Sequence, residues 1–279
     1  MAVSVNLKAY FDRIGFAGSI APTVATLENL QALHPASIPF ENIDPLIGAN
    51  VLLDQSSLER KLLADRRGGY CLEHNLLFMR VLEDLDYVVR PLLARVLWPD
   101  PEAASTEKTH LLLHVEVNGQ SYIADVGFGG LTLTAPLRLR ADVEQQTPHE
   151  TFRLRNGEAN WTLEAQIGED WRPVYAFTLD EVNDAEIAAV NHEMSNNRSQ
   201  RMTQELRVSL SPGGRRIKLH NTTLTVQPVE GDAEKRETTT MESLRAALTG
   251  EFGIQLPNDE RLEPALAALL PAPAEPPEA

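Results

Sequence analysis

The apolar residues of this chain change their period near residue 86, and that change limits what the chain can fold into. Before it they recur at helical spacing. After it they alternate or gather in short β-branched runs. The pattern predicts an α+β fold with its helices first. Leu7, Tyr10, Phe11 and Ile14 mark a first helix, with Gly15 as its stop. Pro22-Thr23 opens a second through Leu27, Leu30 and Leu33, and His34-Pro35 is expected to close it. Ser56 and Ser57 are expected to cap a third helix running to Leu63. A fourth carries Leu72, Leu76, Leu77, Val81 and Leu82.

The second half reads as sheet. Val88 to Trp98 is β-rich, and His110–Val117, Asn118-Gly119 and Gln120–Val126 form a hairpin signal. Further strands are expected near 151–155, 160–167 and 173–177. A polar connector over 180–205 reads as irregular or short-helical. Strands near 206–210, 215–219 and 222–227 follow, then a helix from Met241 to Phe252. The proline-rich tail 271–279 has the composition of a disordered segment.

Composition narrows the function. With 279 residues and 43% hydrophobic content the chain can bury a sizeable core. A net charge of −15 argues against non-specific nucleic-acid binding, which needs a positive surface. No apolar run reaches the roughly 18 residues of a membrane span, so no membrane partner is expected. Met1 to Lys8 lacks a secretory pattern. A single cysteine, Cys71, rules out an internal disulfide and fits a reducing cytoplasm.

Cys71 follows Gly68-Gly69-Tyr70 and precedes the fourth helix, which places its sulfur at a helix N-terminus. Free N–H groups there favour a thiolate, and nearby glycines let an acyl group approach backbone donors. The alternative is a buried cysteine beside ordinary turn glycines. A nucleophile needs a base, and the base an orienting partner. The hairpin supplies both. A two-residue Asn118-Gly119 turn pairs Val117 with Gln120 and, counting outward, Leu112 with Asp125. His110, Leu112 and His114 then share a face with Ile123 and Asp125. Asp125 is diagonal to both histidines, at roughly 7–8 Å between backbones. His110 is the better base because it lies at the open end of the hairpin, where loops can meet Cys71. His114 lies nearer the turn. His74 reads as a helix-surface or supporting residue, and His34, His149, His192 and His220 show no chemical context.

Two other chemistries fit less well. Val126-Gly127-Phe128-Gly129-Gly130 follows a strand, yet no helix pattern follows it and the dinucleotide spacing is absent. It reads as a loop beside the site, with Val126 and Phe128 as apolar contacts for a flat substrate. Cys71, His74, His110 and His114 offer a nominal zinc set, but histidines four apart suit one metal on a helix, and theirs is a strand. No metal is expected.

Arg67-Gly68-Gly69-Tyr70-Cys71-Leu72-Glu73-His74-Asn75, Thr109-His110 and Asp125-Val126-Gly127-Phe128-Gly129 resemble the motifs of the arylamine N-acetyltransferase family, bacterial type. Ile38-Pro39-Phe40-Glu41-Asn42 and Phe252-Gly253-Ile254-Gln255-Leu256-Pro257 are similar too, so the resemblance covers roughly 7–257. It selects His110 independently. It implies a helical bundle (1–85) carrying the nucleophile, a β-barrel-like domain (86–190) carrying histidine and aspartate, and a connector with an α/β lid (191–270), around a cysteine-protease-like catalytic core. It implies a transferase of xenobiotic metabolism that passes an acetyl group from acetyl-CoA to arylamines, arylhydrazines or arylhydroxylamines, ping-pong, through acetylated Cys71. His110 and Asp125 would serve it. Phe40, Tyr70, Val126 and Phe128 would lie on the acceptor side, and Thr109 and Gly127 would contact CoA. Acetyl-CoA would be a cosubstrate, with no tightly bound cofactor. A homodimer stays open. Relatives of this fold that close macrolactams from carrier-bound acyl thioesters are the other enzyme reading. A silent scaffold is a third, which the intact Cys71, His110 and Asp125 disfavour. The connector segment Asn191 to Met202 departs from the family pattern, so the lid and CoA cleft carry the weakest expectations.

Overall fold

The fold is described from a computed structural model covering residues 4–102 and 105–271. The tail beyond Pro271 lies outside the described residues. The chain opens with helices α1 (Leu7–Ile14) and α2 (Val24–Ser37), a short strand β1 (Phe40–Glu41), α3 (Ile43–Ile47), α4 (Gln55–Leu58) and α5 (Cys71–Asp84). Strands β2 (Val88–Val96), β3 (His110–Val117), β4 (Gln120–Ala124), β5 (Leu137–Arg138), β6 (Glu144–Gln146), β7 (Thr151–Asn156), β8 (Trp161–Ile167) and β9 (Asp170–Phe177) follow. Helix α6 (Asp184–Asn196) leads to β10 (Arg207–Leu210), β11 (Arg215–His220), β12 (Thr223–Pro228) and β13 (Glu234–Glu237), then α7 (Met241–Ala246) and α8 (Leu262–Ala267).

Three of the expected boundaries are corrected. His34-Pro35 does not end α2, which runs on to Ser37 with Pro35 inside it. A proline in the last turn forfeits one backbone bond, and Ile38 N–H still reaches the His34 carbonyl at 2.8 Å. The cap of α4 is Asp54, not a serine: its carboxylate accepts from Ser57 N–H at 3.0 Å and from the Ser56 hydroxyl at 2.6 Å. The 180–205 connector holds a 13-residue helix, α6. Asn183 caps it, and Glu186 returns a bond to the Asn183 N–H at 2.9 Å. Most of α6 faces water, which is why its sequence reads as polar.

Among the described residues two antiparallel sheets result. One has five strands in the order β1-β10-β11-β12-β13, the other eight in the order β5-β4-β3-β2-β9-β8-β7-β6. The larger sheet curls until its edges nearly meet. Across that seam the Gln145 side chain stands in for a strand: Arg138 N–H donates to its Oε1 at 2.7 Å, and its Nε2 donates to the Arg138 carbonyl at 3.0 Å. The hairpin register is as expected, with Val117 opposite Gln120 and Leu113 opposite Ala124. Asn118 and Gly119 both take positive φ, 51° and 71°, the two-residue turn that matches strand twist.

Among the described residues, apolar side chains gather in three buried clusters. One joins the N-terminal helices, the second lies under β10–β12 with α7 and α8, and the third fills the curled sheet. Strand β3 serves two of them. Leu111, Leu113, Val115 and Val117 face the helices, and Leu112 faces the sheet interior. That alternation puts the even-numbered His110 on the interior side.

Candidate active site

Helix α5 begins at Cys71, after a Tyr70 held in extended backbone conformation. Its first turn leaves backbone N–H groups without intrahelical partners. The entry is held from behind by buried charges. Glu73 accepts from Tyr70 N–H at 3.0 Å and from Lys61 at 2.7 Å. Lys61 also pairs with Asp44 at 2.6 Å, and Arg67 bridges Glu41 and Asp44 at 2.7 and 2.8 Å. Gly68 has no alternative here. A Cβ on it would sit 1.8 Å from the Pro39 carbonyl oxygen. Strand β1 is thereby pressed against the turn, and Glu41 N–H donates to the Gly69 carbonyl at 2.8 Å.

Cys71 is buried, with its Sγ 3.7 Å from the Thr109 carbonyl. The next residue, His110, presents Nε2 to Asp125 Oδ2 at 2.8 Å. Nδ1 is left for the sulfur. Burial alone would depress the imidazole. The Asp125 carboxylate and the Cys71 sulfur outweigh it, and His110 is pushed up to about 10. Burial likewise works to raise Asp125, but His110, the Asn75 amide and the Gly127 N–H hold its carboxyl below the usual range. His114 lies elsewhere on β3, opposite Ile123, with its proton affinity lowered by burial and Arg90.

The remaining expected residues surround this trio. Val126 N–H donates to Asn75 Oδ1 at 3.0 Å, and its side chain is buried in the helical cluster. Phe128 stands edge-on to the His110 ring, 5.0 Å between centroids. Phe40 lies parallel to His74 at 6.5 Å and 10°. Tyr70 is buried, and its hydroxyl donates to Asn191 on α6. Gly127 donates its N–H to Asp125 Oδ1 at 2.9 Å and presses on the Cys71 backbone, where a Cβ would come within 3.0 Å. The zinc alternative has no support in this geometry. His74 spends both ring nitrogens on His34 and the Pro39 carbonyl, and His110 spends one on Asp125.

A sequence model of a family described as N-acetyltransferase matches residues 23–261. Arylamine N-acetyltransferase of Escherichia coli is 38% identical over 249 residues, 89% of this chain and 88% of that protein. The chain belongs to the arylamine N-acetyltransferase family. The Salmonella typhimurium arylamine N-acetyltransferase / N-hydroxyarylamine O-acetyltransferase is 48% identical over 173 residues, which span 62% of this chain and 61% of that protein. The structure of Mycobacterium marinum arylamine N-acetyltransferase in complex with CoA superposes with a TM-score of 0.91 at 33% identity, over 95% of this chain and 100% of that one. These matches support the expected α+β fold, with its curled sheet, and an acetyltransferase enzyme.

Two residues of this family member's site escaped the sequence. Asn75 ties α5 to the hairpin, donating to Asp125 Oδ1 at 2.9 Å and to the Leu111 carbonyl at 2.7 Å while accepting from Val126. Its place one turn after Cys71 is the one signal that could have found it. Tyr175 on β9 packs its ring 5.0 Å from His110 and lies near Asp125. Nothing local marks it, because only the long-range pairing of β9 with β2, which β3 flanks on its other side, brings it within reach of His110.

Proposed function

We propose that this enzyme acetylates arylamines, arylhydrazines and arylhydroxylamines from acetyl-CoA, in two half-reactions through acetylated Cys71, within the cytoplasm. The observation that carries it is the His110 imidazole, bonded to Asp125 on one nitrogen and facing Cys71 with the other. In the first half-reaction the Cys71 sulfur attacks the acetyl carbonyl. The carbon–sulfur bond to CoA breaks, and CoA leaves as its thiol with the proton His110 had taken from Cys71. In the second, the amine attacks acetyl-Cys71 and loses a proton to His110, and the sulfur is released. Asp125 keeps the ring in one orientation and stabilises its charged form. First-turn N–H groups of α5 would receive the carbonyl oxygen as it gains charge.

Phe40 and Phe128 would bound the acceptor, and the Thr109 and Gly127 backbones would border the CoA thioester. A family member solved with CoA supports the choice of donor.

The test is to mix the protein with acetyl-CoA alone and follow free CoA thiol and intact mass. One acetyl group on Cys71 and one equivalent of CoA are expected before any amine is added. Aniline-type amines and hydrazines should then remove that group. Full turnover by Cys71→Ala would sink the reading. Acetylation of Cys71 that no aryl acceptor can discharge would favour the macrolactam-forming alternative.

A further inference from the structure

Behind the nucleophile's helix runs a line of buried polar groups that the chemistry above does not use. Tyr10, His34 and His74 are all fully buried. Tyr10 Oη lies 2.9 Å from His34 Nδ1, His34 Nε2 lies 2.8 Å from His74 Nδ1, and His74 Nε2 lies 3.1 Å from the Pro39 carbonyl oxygen. The direction of this line follows from its last member. A carbonyl can only accept, so His74 carries its proton on Nε2. Its Nδ1 must then accept, so His34 carries its own on Nε2, and His34 Nδ1 accepts from the Tyr10 hydroxyl. A single arrangement satisfies every group with both rings neutral. Burial, which pushes His34 well down and His74 to about 4, keeps them so.

The line ends at a significant place. The Pro39 carbonyl is the atom that crowds Gly68, three residues before Cys71. The next side chain is Phe40, whose ring lies parallel to His74 and borders Gly129. His74 itself stands one helical turn after Cys71 on α5. Both ring nitrogens of His74 are fixed, so its face is fixed, and with it the seat of Phe40.

We propose that Tyr10, His34 and His74 form a buried positioning relay that holds the Phe40 wall at a set place relative to Cys71, and so sets which aryl group the acetyl-enzyme accepts. The proposal rests on the acetyl-transfer reading above. These three residues touch neither reacting atom. They act through Pro39 and Phe40, so the relay bears on the second half-reaction and not on the first.

The experiment separates the two halves. Acetylation of Cys71 is followed by CoA release in a single turnover, and acceptor use by steady-state kinetics with aryl amines graded from one ring to two. In His74→Leu the single-turnover rate should stay within about threefold of the wild type, and KM for the acceptors should rise about tenfold or more. The ranking of one-ring over two-ring amines should flatten. His74→Gln restores a donor to the Pro39 carbonyl and should recover most of the loss. Tyr10→Phe, far from the site, should shift KM in the same direction by less. If His74→Leu does not fold, Tyr10→Phe carries the test with ¹⁵N-histidine NMR of the wild type, where both rings should show the Nε2–H form. An Nδ1–H form at either ring, an unchanged KM and ranking in the variants, or equal slowing of both half-reactions overturns the relay. Wild-type protein that never releases CoA overturns the acetyl-transfer reading, and the relay with it.

Discussion

At the scale of single residues, the site depends on close approach as much as on chemistry. Gly127 has the Asn75 amide nitrogen 2.9 Å, and the Cys71 Cα and carbonyl oxygen each 3.0 Å, from where a Cβ would stand. Two of those atoms are helix backbone and cannot swing aside. Gly127→Ala should therefore cost about 1–3 kcal/mol in stability by overpacking. It should also slow acetyl-enzyme formation by about 10²-fold, the effect of roughly 1 Å of misplacement. Denaturation and single-turnover CoA release check the two figures, and near-wild-type values for both would show that the loop yields. Counting from the Asn118-Gly119 turn makes a histidine–Asp125 pair legible but leaves His110 and His114 both diagonal to Asp125, and only the place of His110 at the open end of the hairpin favours it. Asn75 and Tyr175 were not legible, because their partners are set by how α5 and β9 dock, and no short-range pattern encodes docking.

At the scale of elements, the cap of α4 shows that residue types suited to a role outnumber the places that need it. Asp54, Ser56 and Ser57 can all cap a helix. Asp54 does so because it is the one at the turn of the chain, in extended conformation with φ −67° and ψ 154°. Asp54→Ala should lose about 0.5–2 kcal/mol of stability, and Ser57→Ala should stay within about 0.5 kcal/mol, both measured by urea unfolding. The reverse order would return the cap to the serine. His34-Pro35 misled for a different reason. The proline signal is local, but α2 is kept going by tertiary bonds: Gln31 Nε2 to the Leu133 carbonyl at 3.3 Å, His34 to its two neighbours, and Ser211 N–H to the Pro35 carbonyl at 2.8 Å. In α6 the capping pair Asn183 and Glu186 was present in the string. Its buried stripe, chiefly Ile187 and Met194, is too thin to show a period.

At the scale of the whole molecule, the buried pair at the site links stability to pH. His110 is raised to about 10 in the folded protein and titrates near 6.5 when unfolded. Its stabilisation is complete below about pH 6.5 and is lost as pH climbs toward 10, with a slope approaching about 1.4 kcal/mol per unit. Asp125 is depressed, so its share is present above about pH 4 and fades as pH falls through its lowered folded value. Urea midpoints taken from pH 6 to 9 should fall for the wild type and flatten for His110→Asn. Parallel slopes in the two proteins would disconnect the pair from global stability.

Strand β3 carries a last consequence. Its odd side chains belong to the helical cluster, while Leu112 belongs to the curled sheet and His110 packs there against Phe128 and Tyr175, so this one strand is a party wall between two interiors. Recombination between relatives is constrained by it. A crossover placed between α5 and β2 would join one parent's helices to the other parent's wall. Such a hybrid stays sound only where the odd positions of β3 match the helices it inherits, however well the even positions suit its sheet.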